Sequence, residues 1–213
     1  MDNMDRTSIS YFSLLICLLA FVLVYPFLQS RFLFGFLLNF SLLIILLASI
    51  PTLFQRRKIR KVGFSLGFLV FIFNSIPSFY SEFFIQILAR GFSILFFSYI
   101  ITIILRHIFK SEITNESILG ALCVYLLGGI VFALIYAMME LCSPGSFGIG
   151  THGFQNFLYY SYVTMTTLGY GDITPLSPLA QSFAILEAII GQFYIATVIA
   201  RLVAMNIAGQ KSI

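Results

Sequence analysis

The chain has 213 residues, 60% hydrophobic and only 9% charged, with a formal net charge of +4. A soluble domain carries about 25% charged residues, so a chain this apolar cannot cover itself with polar groups and must have lipid as its main solvent. An ordinary soluble enzyme, a secreted disulfide scaffold and a disordered regulator are excluded, and the clustering of the positive charge argues against nucleic acid as a partner.

A membrane-spanning helix needs about 20 apolar residues, each rising 1.5 Å through a lipid core about 30 Å thick. The first ten residues hold Asp2, Asp5 and Arg6 and lack the positive start and cleavage site of a signal peptide, so the apolar stretch after them is expected to remain as the first span. Uncharged stretches 7–30 and 32–55, divided by Arg31, predict two helices joined by a tight turn around Gln29 to Arg31. Five of the twelve basic residues then fall in one run, Arg56, Arg57, Lys58, Arg60 and Lys61. This run reads as a cytoplasmic loop obeying the positive-inside rule, with attraction to anionic lipid headgroups.

Residues 62–81, with Pro77 near the end, and 83–105, interrupted by Arg90, predict the third and fourth spans. Residues 106–116 read as a linker, with Thr114 or Asn115 capping the helix that follows. The fifth span covers 117–139 and ends at Glu140; the sixth covers 178–204 and contains Glu187 and Arg201. Cys17, Cys123 and Cys142 are odd in number and irregular in spacing, which fits neither a disulfide framework nor a zinc site. The chain thus reads as an all-α membrane protein of two parts, a four-span peripheral domain over 1–110 and a second domain over 111–213. The basic run places both termini in the cytoplasm, with Arg106 and Lys110 on the same side.

The connection between the fifth and sixth spans has its own character. Residues 141–153 (LCSPGSFGIGTHG) are rich in Gly, Ser and Pro and predict a loop. Residues 154–165 (FQNFLYYSYVTM) are apolar and aromatic but too short to cross, which marks a re-entrant helix. It leads directly into Thr166-Thr167-Leu168-Gly169-Tyr170-Gly171-Asp172, and Pro175 and Pro178 follow. Backbone at membrane depth needs its polar groups satisfied unless it lines a watery path. Gly169 and Gly171, at alternate positions, tolerate the positive φ that lets an extended segment turn its carbonyls to one side. The carbonyls of Thr167, Leu168, Gly169 and Tyr170, with the Thr167 hydroxyl, would then form stacked rings of oxygen able to replace the water around an alkali cation. One segment supplies one side of each ring, so a closed ring demands several copies.

Thr166 to Asp172, the run Tyr159-Tyr160-Ser161 before them and the flanking spans resemble the potassium channel superfamily, with Leu168 where Val is commoner. The resemblance implies a homotetramer in lipid, a K⁺-selective pore and a helix–pore-loop–helix module over about residues 114–207. It implies bound K⁺ at Thr167, Leu168, Gly169, Tyr170 and Gly171 and no other cofactor. Thr166, Asp172 and the aromatic-cuff positions Tyr159 and Tyr160 support the filter, with Tyr170 packed on the re-entrant helix. Val163 stands where some members carry a Glu that pairs with the Asp after the filter, leaving Asp172 without that partner. The filter end at Gly171 and Asp172 faces outside in the family, in agreement with the basic-residue orientation. The first four spans resemble the peripheral domain of six-span channels in number and topology.

Gly191, twenty positions after Gly171, matches a hinge spacing of the family or serves close helix packing. Glu187 shares its helical face and either braces the back of the re-entrant helix or faces a cavity; pairing with Arg90 is a further option. Gln192, Ile195 and Ile199 are candidates for the cavity wall. Arg90 is the lone basic residue of its span before Arg106. A charge crossing the field yields ~2.3 kcal/mol per 100 mV, so four subunits supply at most ~9, too little for steep voltage gating. His152 is read as a plain loop histidine in preference to a proton sensor. The few residues written after the last span carry no expectation of a ligand-sensing module.

The leading expectation is a K⁺ channel without steep voltage dependence. The alternatives are a weakly selective cation channel, which Tyr170 argues against, and a subunit of a potassium transporter, which the single complete pore loop argues against. No metal-ligand cluster, nucleophile–base pair or phosphate loop supports an enzyme. The compact sequence points to a prokaryotic inner membrane.

Overall fold

The structure, a computed structural model, describes residues 2–24, 57–75, 83–110, 115–148 and 153–210. The expected second span at 32–55, with Arg31, Arg56, Pro77, Thr114 and His152, lies outside the described residues. The helices are α1 (Asp2–Val24), α2 (Arg57–Ser75), α3 (Phe83–Lys110), α4 (Asn115–Cys142), α5 (Phe154–Met165) and α6 (Pro178–Gln210). Phe83–Phe109, Ser117–Cys142 and Pro178–Val198 are long and apolar enough to cross a membrane; Tyr11–Val24 and Ser65–Asn74 are shorter apolar stretches.

Two expected loops are helical. The basic run opens α2 at Arg57 in place of forming a loop, because Lys and Arg are good helix formers. The linker expected at 106–116 is shortened from both sides: α3 continues through Arg106 to Lys110 and α4 begins at Asn115. The apolar residues Ile108 and Phe109 let α3 run on past Arg106.

α4 is the central post, packed by α1, α3, α5 and α6. Its buried residues Cys123, Leu127, Ile130, Ala133 and Tyr136 meet Tyr11, Leu14 and Leu18 of α1 and Phe96, Ile100 and Ile104 of α3 in one core cluster. Helices already in lipid gain little by hiding apolar surface from water, so close approach and interhelical hydrogen bonds hold them together. Both devices are present. A Cβ added at Gly129 of α4 would lie 2.8 Å from Cζ of Tyr162, so glycine lets α5 press against α4. Across helices, Tyr162 Oη donates to the Leu126 carbonyl (2.7 Å), Tyr194 Oη to the Ala121 carbonyl (2.6 Å) and Asn74 Nδ2 to Ser93 Oγ (3.0 Å).

Candidate functional site

The expected re-entrant helix and the observed α5 share the bounds Phe154–Met165. At its end Thr166 is the C-cap, and its Oγ1 donates to the Tyr162 carbonyl (2.6 Å). The chain then reverses onto the helix: the amides of Leu168 (2.9 Å) and Gly169 (3.3 Å) both donate to the Val163 carbonyl. The last turn of α5 therefore anchors the start of the Thr166–Asp172 stretch.

Backbone φ is positive at Thr167 (59°), Gly169 (57°) and Gly171 (78°). Left-handed residues thus alternate with residues of ordinary φ. An ordinary strand points successive carbonyls to opposite sides; alternating handedness lets them face one side. Thr167 is the departure from expectation, since a β-branched residue rarely accepts this region. Its hydroxyl donates to the Thr166 carbonyl (2.7 Å) and accepts from Gln192 Nε2 (3.3 Å), which ties the base of the stretch to α6.

The aromatic positions divide. Tyr159 stacks on Tyr170 with ring centroids 6.4 Å apart and planes 4° from parallel. The Tyr159 hydroxyl also hydrogen-bonds the Asp172 side chain. Asp172 has Val163 where some members have a Glu partner, as expected, and meets this phenol. Tyr160 turns the other way, into an edge-to-face cluster with Tyr136 (5.1 Å) and Phe147 (5.3 Å). Leu168 and Tyr170 are exposed in the single chain.

The connections on either side are clasped together. Glu140 carries the turn after α4: Oε1 accepts from the Gly145 amide (2.8 Å) and Oε2 from the Phe147 amide (3.1 Å). Phe147 pairs with Pro175 in an isolated bridge, and the Ser146 carbonyl accepts from Leu176 (2.8 Å). Ser177 Oγ then caps α6 through the Ala180 amide (3.2 Å), with Pro178 at the first helical position.

Glu187 of α6 is fully buried, and its two oxygens meet Tyr136 Oη (2.6 Å) and Ser161 Oγ (2.5 Å). Of the two positions considered for it, the structure has the brace behind α5. The groups that act on Glu187 are Ser161 and Tyr136 and do not include Arg90, whose Nη1 donates to the Ala137 carbonyl (2.5 Å). Gly191 is buried where a Cβ would fall on the Met165 carbonyl oxygen, so close packing explains it. Gln192 and Ile195 lie on the exposed side of α6; Ile199 is within the helix, with its side chain outside the described residues. Tyr136 and Glu140 are the residues that the sequence reading passed over. The usable signal was polarity: a tyrosine hydroxyl or carboxylate in or beside an apolar span needs a partner.

Comparison with known proteins bears on this same half of the chain. Residues 120–208, from the second turn of α4 through the Thr166–Asp172 stretch and nearly all of α6, match the family described as "Ion channel". This match and the relatives below make that part of the chain similar to potassium channels. It is 48% identical over 44 residues (21% of the chain) to "Two-pore potassium channel 5" of Arabidopsis thaliana. It is 41% identical over 73 residues (33%) to "Two pore potassium channel c" of Oryza sativa subsp. japonica. It is 36% identical over 76 residues (34%) to "Inward rectifier potassium channel Kirbac3.1" of Paramagnetospirillum magnetotacticum. The chain covers 11%, 14% and 23% of these relatives' lengths. No solved structure matches it significantly. The family and the long apolar helices mark an integral membrane protein; two of the relatives come from plants, which does not favour the prokaryotic membrane expected from the sequence.

Proposed function

We propose that four copies of the chain assemble about one axis and conduct K⁺ passively down its electrochemical gradient. Each copy contributes the carbonyls of Thr167, Leu168, Gly169 and Tyr170, with Gly171 closing the outer end, and the Thr167 hydroxyl at the base. Together they exchange the water around K⁺ for protein oxygen. The observation that carries this reading is the alternation of positive φ at Thr167, Gly169 and Gly171 within TTLGYGD, directly after the short helix α5. The carbonyl end of α5 supports it as well, since a helix C-terminus favours a cation nearby. Selectivity rests on holding the ring diameter, the task of the Tyr159–Tyr170 stack, while the Tyr159–Asp172 contact steadies the outer end. Both termini face the cytoplasm, lipid surrounds the tetramer, and gating is not steeply voltage-dependent.

Reconstitution into liposomes under a K⁺ gradient tests the proposal. K⁺ flux should exceed Na⁺ flux and be blocked by Ba²⁺, and Gly169→Ala should abolish flux while the tetramer persists. Normal conduction by that variant would refute the assignment of the filter.

A further inference from the structure

On the side of α5 that faces α4 and α6 lies a closed cluster of oxygen atoms. Glu187 of α6 and Ser161 of α5 are each 0% exposed, and so is Tyr136 of α4. Three contacts run in series. Tyr136 Oη is 2.6 Å from Glu187 Oε2, Glu187 Oε1 is 2.5 Å from Ser161 Oγ, and Ser161 Oγ is 2.8 Å from the Gly129 carbonyl oxygen. Each contact requires a proton between its oxygens. The phenol and the serine hydroxyl own one each, while a carbonyl and an ionised carboxylate own none. Three contacts with two protons leave one oxygen pair with no hydrogen between them. A proton on Oε1 completes the series: Tyr136 donates to Oε2, Glu187 donates to Ser161, and Ser161 donates to Gly129.

The surroundings favour the same state. The titratable groups acting with Glu187 are phenols, Tyr125 and Tyr136 on α4 and Tyr160 and Tyr162 on α5. Among the described residues no Lys, Arg or His acts on it. A buried carboxylate without a cation is costly, above all at membrane depth.

We propose that Glu187 is a neutral carboxylic acid and a positioning residue that pins α5 to both α4 and α6. Its effect reaches the filter through α5, because the Val163 carbonyl on that helix holds the Leu168 and Gly169 amides. Loss of the proton turns Oε1 from donor to acceptor. Ser161 must then swing its single hydrogen from Gly129 to Glu187, and this tether between α5 and α4 opens. Conduction should therefore decline as the medium becomes strongly alkaline.

Two measurements on the reconstituted full chain test this. The first does not depend on the channel reading. In infrared spectra the wild type should show the carbonyl stretch of a protonated carboxylic acid, shifted in heavy water. Glu187→Gln should lack it and Glu140→Gln should retain it. The second measurement rests on the proposed pore and follows K⁺ flux against pH. Glutamine can donate to Ser161 and accept from Tyr136 but cannot ionise. Glu187→Gln should keep flux within about twofold of wild type at neutral pH and lose the alkaline decline. Glu187→Leu should lose about tenfold or more, the scale of an unpaired buried polar group. Absence of the infrared band in the wild type would overturn the neutral acid. A tenfold loss in an assembled Glu187→Gln tetramer would overturn it too, by showing that the charge is required. A wild-type pH profile as flat as that of Glu187→Gln would overturn the positioning role. If no protein passes K⁺, wild type included, the pore reading fails and the infrared result still decides the protonation state.

Discussion

Gly169 sits at φ 57° with nothing within 4 Å of where a Cβ would stand. An alanine there is opposed by backbone strain alone, about 1–2 kcal/mol. Gly169→Ala should therefore keep its assembly and thermal midpoint close to wild type while losing K⁺ flux, which thermal denaturation and flux assays on one preparation will check. Tyr159 permits a finer separation. Tyr159→Phe keeps the ring stacked on Tyr170 but deletes the hydrogen bond to Asp172, a loss of about 1 kcal/mol. Single-channel recordings should show shorter open times with an unchanged preference for K⁺ over Na⁺. At this scale the glycines were legible in the sequence, because few other residues tolerate positive φ. Thr167 was not, because its side chain gives no hint that hydrogen bonds to Thr166 and Gln192 accompany so rare a conformation.

Among the helices, α5 was readable to the residue because Gly, Ser and Pro precede it and a glycine-bearing stretch follows it. The start of α2 and the end of α3 were not, since basic residues at a membrane surface are equally compatible with loop and helix; the start of α4 at Asn115 agrees with the cap expected at Thr114 or Asn115. The partners of Glu187 were hidden for another reason: they lie 26 and 51 positions away on two other helices, and no local pattern links them. The packing of α6 on α5 turns on Gly191. A methyl group there must displace the Met165 carbonyl or sit 2.9 Å from its Cγ, and overpacking of this kind costs about 1–3 kcal/mol. Gly191→Ala should lower the thermal midpoint and reduce flux together, in contrast to Gly169→Ala. Arg90 ties α3 to α4 through the Ala137 carbonyl, an attachment that opposes sliding of α3. Arg90→Gln should destabilise the protein in thermal denaturation and leave the conductance–voltage relation unchanged.

The whole molecule divides unevenly. The part from α4 to α6 carries the family match and the backbone clasps, while the match does not reach α1, α2 or α3. The apolar residues Ile185, Leu186, Ile189, Ile190 and Phe193 of α6 are exposed in the single chain, as are Leu168 and Tyr170. That face fits the seat of neighbouring copies in the proposed tetramer. The expectation of more than one copy comes from the single TTLGYGD stretch; the sequence does not point to a surface that would bring copies together, because lipid and a second subunit demand the same apolar residues. A density map of the assembled protein in K⁺-containing buffer is the most direct test. The account predicts four copies of residues 167–171 around a common axis, with ion density on that axis between successive layers of main-chain oxygen. A map with these residues far from any symmetry axis, or enclosed within one protomer, would contradict it.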